Sequence, residues 1–150
     1  MRSRFVGRLA TGFALVALLA ACSGDEGGPG GEKLRYIEKS DAICRETFPK
    51  TSGLTARDQA TAEKADEEWG AASDKLKALT VPGESVDLAR QFVTRVENIS
   101  LSYRAAARAL ALNDQAKATR GFDDVATLKK QAADGAKEYG YKDCRLIGTA

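Results

Sequence analysis

Apolar side chains recur every three or four residues along four stretches of the chain, the spacing of one face of an α-helix. The stretches span residues 33–48, 55–79, 85–112 and, after Asn113 and Asp114, a fourth run to Tyr139. None of them shows the strict alternation of a strand. The pattern therefore predicts an all-α protein.

Residues that break or cap helices separate these stretches. Pro49 ends the first, and Thr55 followed by Asp58 resembles a capping box that opens the second. Pro82 and Gly83 interrupt the chain before the third, and Gly140 is a favourable stop for the fourth. Short turns between amphipathic helices favour a small antiparallel bundle of three to four helices.

The first 31 residues have a different composition. Residues 1–8 hold three arginines and no acid, and an apolar stretch follows to Ala21 that is shorter than the roughly 20 apolar residues of a membrane span. Residues 19–22 (LAAC) resemble the lipobox of bacterial lipoproteins, in which the cysteine is acylated before cleavage. An ordinary secreted protein cut after Ala21 is the alternative.

These features divide the chain into three parts. Residues 1–21 are the expected lipoprotein signal peptide, and residues 22–32 are the lipidated Cys22 with a glycine-rich flexible tether. Residues 33–150 form the helical domain. We expect the protein on the extracytoplasmic face of the cell membrane, held there by the lipid on Cys22.

Two cysteines remain in the domain, Cys44 and Cys144. In an exported chain such a pair predicts a disulfide, because thiols outside the cytoplasm do not stay reduced. Cys44 lies late in the first helix, so antiparallel packing would not by itself bring it to Cys144. Either the final segment folds back along the bundle or the first helix crosses at an angle.

The composition excludes several functions. Three of the 23 basic residues lie in the signal peptide, which leaves 20 basic against 21 acidic residues and argues against nucleic acid as a partner. The chain has no histidine, which removes the commonest general base and zinc ligand. We expect no catalytic residues, no metal and no cofactor.

Segments near the two ends of the domain carry a family resemblance. Residues 36–44 (YIEKSDAIC) and residues 139–144 (YGYKDC) resemble segments that open and close small actinobacterial lipoproteins of unknown function. The resemblance implies a helical, disulfide-linked envelope protein from a high-GC bacterium, and it implies no activity.

Four aromatic side chains are candidate ligand-lining residues, should the helices splay around a cavity: Trp69, Phe92, Tyr103 and Phe122. Core packing is the commoner role of such rings. Carboxylates also cluster on the second stretch, at Glu63 and residues 66–68, and we interpret them as a solvated face. An enzyme that uses carboxylates such as Glu63 and Glu67, or Asp123 and Asp124, is a third possibility, but no characteristic residue spacing supports it.

The sequence thus predicts a non-catalytic, membrane-anchored lipoprotein of the cell envelope that binds a protein or another envelope component. The alternative is a carrier of a lipid or other apolar ligand in a cavity of the bundle.

Overall fold

The computed structural model describes residues 29–83 and 85–148. The predicted signal peptide and Cys22 therefore lie outside the described residues. Four helices make up most of this part of the chain: α1 (Pro29–Thr51), α2 (Gln59–Lys77), α3 (Val86–Ala111) and α4 (Gln115–Tyr139). One turn of 3₁₀ helix, Cys144–Leu146, follows, and the described ranges contain no strand. The predicted all-helical fold is confirmed.

The helix boundaries follow from local capping. Asp58 accepts a hydrogen bond from the backbone N–H of Thr61 at 2.8 Å, and Asp114 does the same for Lys117 at 3.0 Å. The cap of α2 is thus Asp58, three residues later than the predicted start at Thr55. Gly140, with φ of 102°, ends α4 in the left-handed conformation, as expected.

The first helix is longer than the sequence pattern predicts. It begins at Pro29, where the sequence analysis has the tether continuing to residue 32, because proline fits the first turn of a helix. It also passes Pro49, the predicted stop, and ends at Thr51. Pro49 lies in the last turn, where it removes one helical hydrogen bond, and the Thr51 hydroxyl donates to the carbonyl of Thr47 at 3.2 Å.

The helices pack in chain order around a shared core. Helix α3 packs along both α2 and α4, while α1 packs on α2. Within the described ranges, α4 has no Cα atom within 8 Å of α1 or α2. The backbone of α4 is therefore close only to α3, and α4 contacts α1 and α2 through long side chains, as between Tyr36 and Tyr139 or Trp69 and Lys129.

A terminal segment, residues 141–148, packs against both α4 and α1. It folds back from the end of α4 along α1 and is joined to it by the disulfide between Cys44 and Cys144, whose Cα atoms are 5.1 Å apart. This confirms the predicted disulfide, and folding back of the final segment is the geometry that satisfies it.

Candidate functional site

Two features lie along the terminal segment: a cluster of buried tyrosines where the segment starts, and a cleft beside the residues where it ends. The two sequence segments that carry the family resemblance meet at the first of these. That junction fixes the position of the terminal segment.

Asp41 of α1 attaches the terminal segment. Its buried carboxylate accepts hydrogen bonds from the backbone N–H groups of Lys142, Asp143 and Cys144, at 2.9, 2.9 and 3.0 Å. Arg45, one turn later, pairs with the Asp143 carboxylate at the surface. A single carboxylate thus satisfies three successive backbone donors that have no helical or strand partner.

Next to this attachment, three tyrosine rings pack against one another and against Phe92. The ring centroids of Tyr139 and Tyr141 are 4.7 Å apart, and those of Tyr36 and Tyr139 are 5.9 Å apart. The Phe92 ring lies 4.8 Å from that of Tyr141. Phe92 thus packs inside a buried aromatic cluster, and it does not line the cleft at the end of the terminal segment.

The tyrosine hydroxyls are buried without hydrogen-bond partners. None is found for the hydroxyls of Tyr36, Tyr139 and Tyr141, or for that of Ser40 beside them. Burial, followed by the nearby Tyr36, raises the pKa of Tyr139 to about 12. Burial is also the main cause that raises the pKa of Tyr141, with further contributions from Tyr36. The phenol groups of Tyr139 and Tyr141 therefore remain neutral at ordinary pH.

The cleft lies at the other end of the terminal segment. It has a volume of about 700 Å³ and is lined by residues 54–57 after α1, by Tyr103 of α3, by α4 between Phe122 and Asp134, and by Ile147 and Gly148. Such a volume is typical of small-molecule sites. The cleft thus lies between the connection from α1 to α2, one side of α4 and the end of the terminal segment.

A smaller pocket of about 60 Å³ adjoins the cleft and shares five lining residues with it. Trp69 and Phe48 line this pocket, and their ring centroids are 6.0 Å apart. The indole N–H of Trp69 is buried and has no acceptor. Trp69, Tyr103 and Phe122 are buried core residues like Phe92, but the structure brings these three to one region beside the cleft, a difference that sequence periodicity could not show.

Cationic side chains lie over the aromatic rings of the cleft. The Lys129 ammonium is 5.6 Å from the ring centroids of both Trp69 and Tyr103, and the Arg57 guanidinium is 5.5 Å from that of Phe122. Cation–π contacts at these distances are attractive. Sequence reasoning missed Lys129 and Arg57, because nothing in the local pattern places a charged side chain over a ring from another helix.

The carboxylates that the sequence suggested as alternatives are dispersed. Asp66 was expected on a solvated face, but its side chain is half-buried. It accepts two hydrogen bonds from Arg104, the shorter at 2.8 Å. Glu68 pairs with Lys50 at 3.5 Å, and Asp123 pairs with Arg57 at 3.2 Å. In the part of the chain that is described, no group of three His, Cys, Asp or Glu residues is arranged to hold a metal ion.

None of the described helices has the length and hydropathy of a membrane span. Comparison of the chain with protein families, curated proteins and solved structures finds no match. The described residues define a disulfide-linked helical bundle with an open, aromatic-lined cleft.

Proposed function

We propose that this protein is a membrane-anchored lipoprotein of the cell envelope that binds an envelope component in the cleft and does not catalyse a reaction. The anchor is the lipid on Cys22, as the resemblance of residues 19–22 to a lipobox suggests. The disulfide supports a location outside the cytoplasm, where such bonds persist.

The observation that carries the binding role is the cleft itself. Its volume of about 700 Å³ is in the range of small-molecule sites, and its lining combines the apolar side chains of Tyr103, Phe122 and Val125 with charged groups. A second cleft of about 370 Å³, beside the start of α1, is lined by the charged residues Glu32, Arg35 and Lys39 and offers less apolar surface. We therefore assign binding to the larger cleft.

A carrier of apolar molecules is the second candidate, and the same aromatic lining favours it. A carrier must take its ligand out of one membrane and release it into another. Transfer of a radiolabelled lipid extract between vesicle populations would separate the two roles: a stationary binding protein retains ligand but does not accelerate transfer.

The anchor is tested by metabolic labelling with palmitate in the producing bacterium. We expect label on the wild-type protein and none on Cys22→Ser, with the unlabelled variant keeping its signal peptide. Equal labelling of both proteins would contradict the assignment of Cys22.

Binding is tested by photo-crosslinking in living cells with a photoreactive amino acid on α4. Position 126 lines the cleft and position 116 does not, and both hold exposed alanines on the same helix. We expect a reproducible adduct, identified by mass spectrometry, from position 126 only. The same adducts from both positions would contradict binding in the cleft.

A further inference from the structure

The charges of the cleft indicate which ligand it takes. Three cationic residues line it, Arg57, Lys129 and Lys130, against one acidic residue, Asp134. This excess of positive charge contrasts with the near-neutral composition of the domain. A cleft with apolar walls and positive side chains is complementary to an anion.

Lys129 has no ionic partner within the described ranges. Its side chain is half-buried, and its ammonium faces the rings of Trp69 and Tyr103, each with a centroid at 5.6 Å. The aromatic faces hold the ammonium at the cleft, and no carboxylate neutralises it there. An anion bound in the cleft would supply the missing partner.

Arg57 can contribute a second cationic contact. Its pair with Asp123, at 3.2 Å, joins two side chains that are both more than half exposed, and such a pair is weak. The same guanidinium covers the Phe122 ring at 5.5 Å. A ligand that packs on Phe122 therefore meets a guanidinium at its edge.

From this arrangement we propose that the cleft binds a small organic anion: an aromatic or aliphatic body packs on Tyr103 and Phe122, and one acidic group of the ligand contacts Lys129. The proposal rests on the proposed function, since it names the ligand class of the same cleft. A cationic ligand would be repelled by the three basic residues, and a neutral apolar ligand would leave Lys129 without an anion.

The chain contains one tryptophan, so its fluorescence reports on this site alone. Trp69 lines the pocket that adjoins the cleft and lies under Lys129. The protein, purified from the envelope fraction of the producing cells in a nonionic detergent, is titrated with anilinonaphthalene sulfonate. A parallel titration uses phenylnaphthylamine, which has the same aromatic body without the sulfonate. Energy transfer from Trp69 to either probe measures binding.

We expect saturable transfer to the anionic probe and binding of the neutral probe at least about tenfold weaker, since a charge-assisted contact is lost. Lys129→Met, which keeps an apolar stem of similar length, should bring the anionic probe to the affinity of the neutral one. Lys130→Met, an exposed position at the cleft, should weaken it less. Lys137→Met, exposed on α4 outside the cleft, is the matched control and should leave both affinities unchanged.

The outcomes separate the two proposals. Equal affinity for both probes, unchanged in Lys129→Met, would overturn the anion proposal and leave the cleft as a binding site for neutral apolar ligands. Absence of saturable transfer to either probe would overturn the anion proposal. The crosslinking at position 126 would then decide separately whether the cleft binds anything. Circular dichroism of each variant, compared with wild type, checks that it is folded.

Discussion

At the scale of single residues, the structure depends most on one acidic side chain. Asp41 is 3% exposed and accepts three backbone N–H groups of the terminal segment. Because the carboxylate is an acceptor only, each of its oxygens faces a donor without conflict. The segment that borders the cleft is therefore attached to α1 by hydrogen bonds as well as by the disulfide.

We expect Asp41→Asn to destabilise the protein by about 2–3 kcal/mol, because the amide is neutral and its NH₂ group must face a backbone donor. Urea unfolding at neutral pH measures the change. Asp74→Asn, at an exposed position on α2, is the control and should change stability by less than about 0.5 kcal/mol. Similar values for both variants would contradict the role of Asp41.

The buried tyrosines predict alkaline sensitivity. The pKa of Tyr139 rises from 10.0 to about 12 on folding, and that of Tyr141 rises as well, both chiefly through burial. The unfolded chain therefore loses these phenol protons at a lower pH than the folded protein does. The free energy of unfolding keeps this contribution below about pH 10 and loses it as pH rises toward 12.

Denaturant unfolding at pH 8 and pH 11 tests this expectation. The free energy of unfolding of wild type should fall more between the two pH values than that of Tyr139→Phe or Tyr141→Phe. Lysine titration is common to all three proteins and cancels in the comparison. At pH 8 the Tyr141→Phe variant should lose at most about 1 kcal/mol, because the hydroxyl that it removes lies near those of Tyr36 and Ser40 but forms no hydrogen bond of ordinary geometry.

At the scale of helices, the contact between α3 and α4 depends on a glycine. A Cβ atom at Gly121 would lie 3.0 Å from the Cβ of Ala106 and 3.2 Å from the backbone nitrogen of Ala106 and the carbonyl oxygen of Ser102. Backbone atoms cannot move aside as a side chain can. The glycine therefore allows the close approach of the two helices.

Gly121→Ala should lower the thermal midpoint, with a loss of about 1–3 kcal/mol, even though alanine is the better helix former. Gly70→Ala on α2 is the control. There the added Cβ would meet only the Ser100 hydroxyl at 3.3 Å, so we expect a smaller change or a gain in stability. Calorimetry of the two variants gives the comparison; a gain at position 121 would contradict the packing argument.

The helices themselves could be predicted from the sequence, because apolar periodicity and caps such as Asp114 and Gly140 are local signals. The ends of α1 could not, since Pro49 breaks a helix in isolation yet is tolerated in a last turn. The cleft could not be predicted from the sequence either. It forms where the connection from α1 to α2, α4 and the terminal segment meet, and Lys129 acquires its aromatic neighbours only through tertiary packing.

At the scale of the whole molecule, one covalent bond joins the first helix to the terminal segment. The Cys44–Cys144 disulfide closes a loop with a sequence separation of 100 residues. In the chain-entropy account, a closure of that length contributes up to about 4.7 kcal/mol, a large share of the stability of a small domain.

Reduction, or the double change Cys44→Ala and Cys144→Ala, should therefore lower the thermal midpoint by about 10 °C or more. Amide hydrogen exchange should show the greatest loss of protection in residues 141–148. A reduced protein with an unchanged midpoint would contradict the stabilising role of the bond.

The position of the terminal segment makes the cleft depend on residues that follow the helices. The Tyr141 ring covers Phe92, and Ile147 and Gly148 line the cleft. A chain whose terminal segment has not docked on α1 would leave that core uncovered and the cleft without its Ile147 wall. The cleft that we propose as the binding site is therefore complete only once Asp41 and Cys44 hold this segment in place.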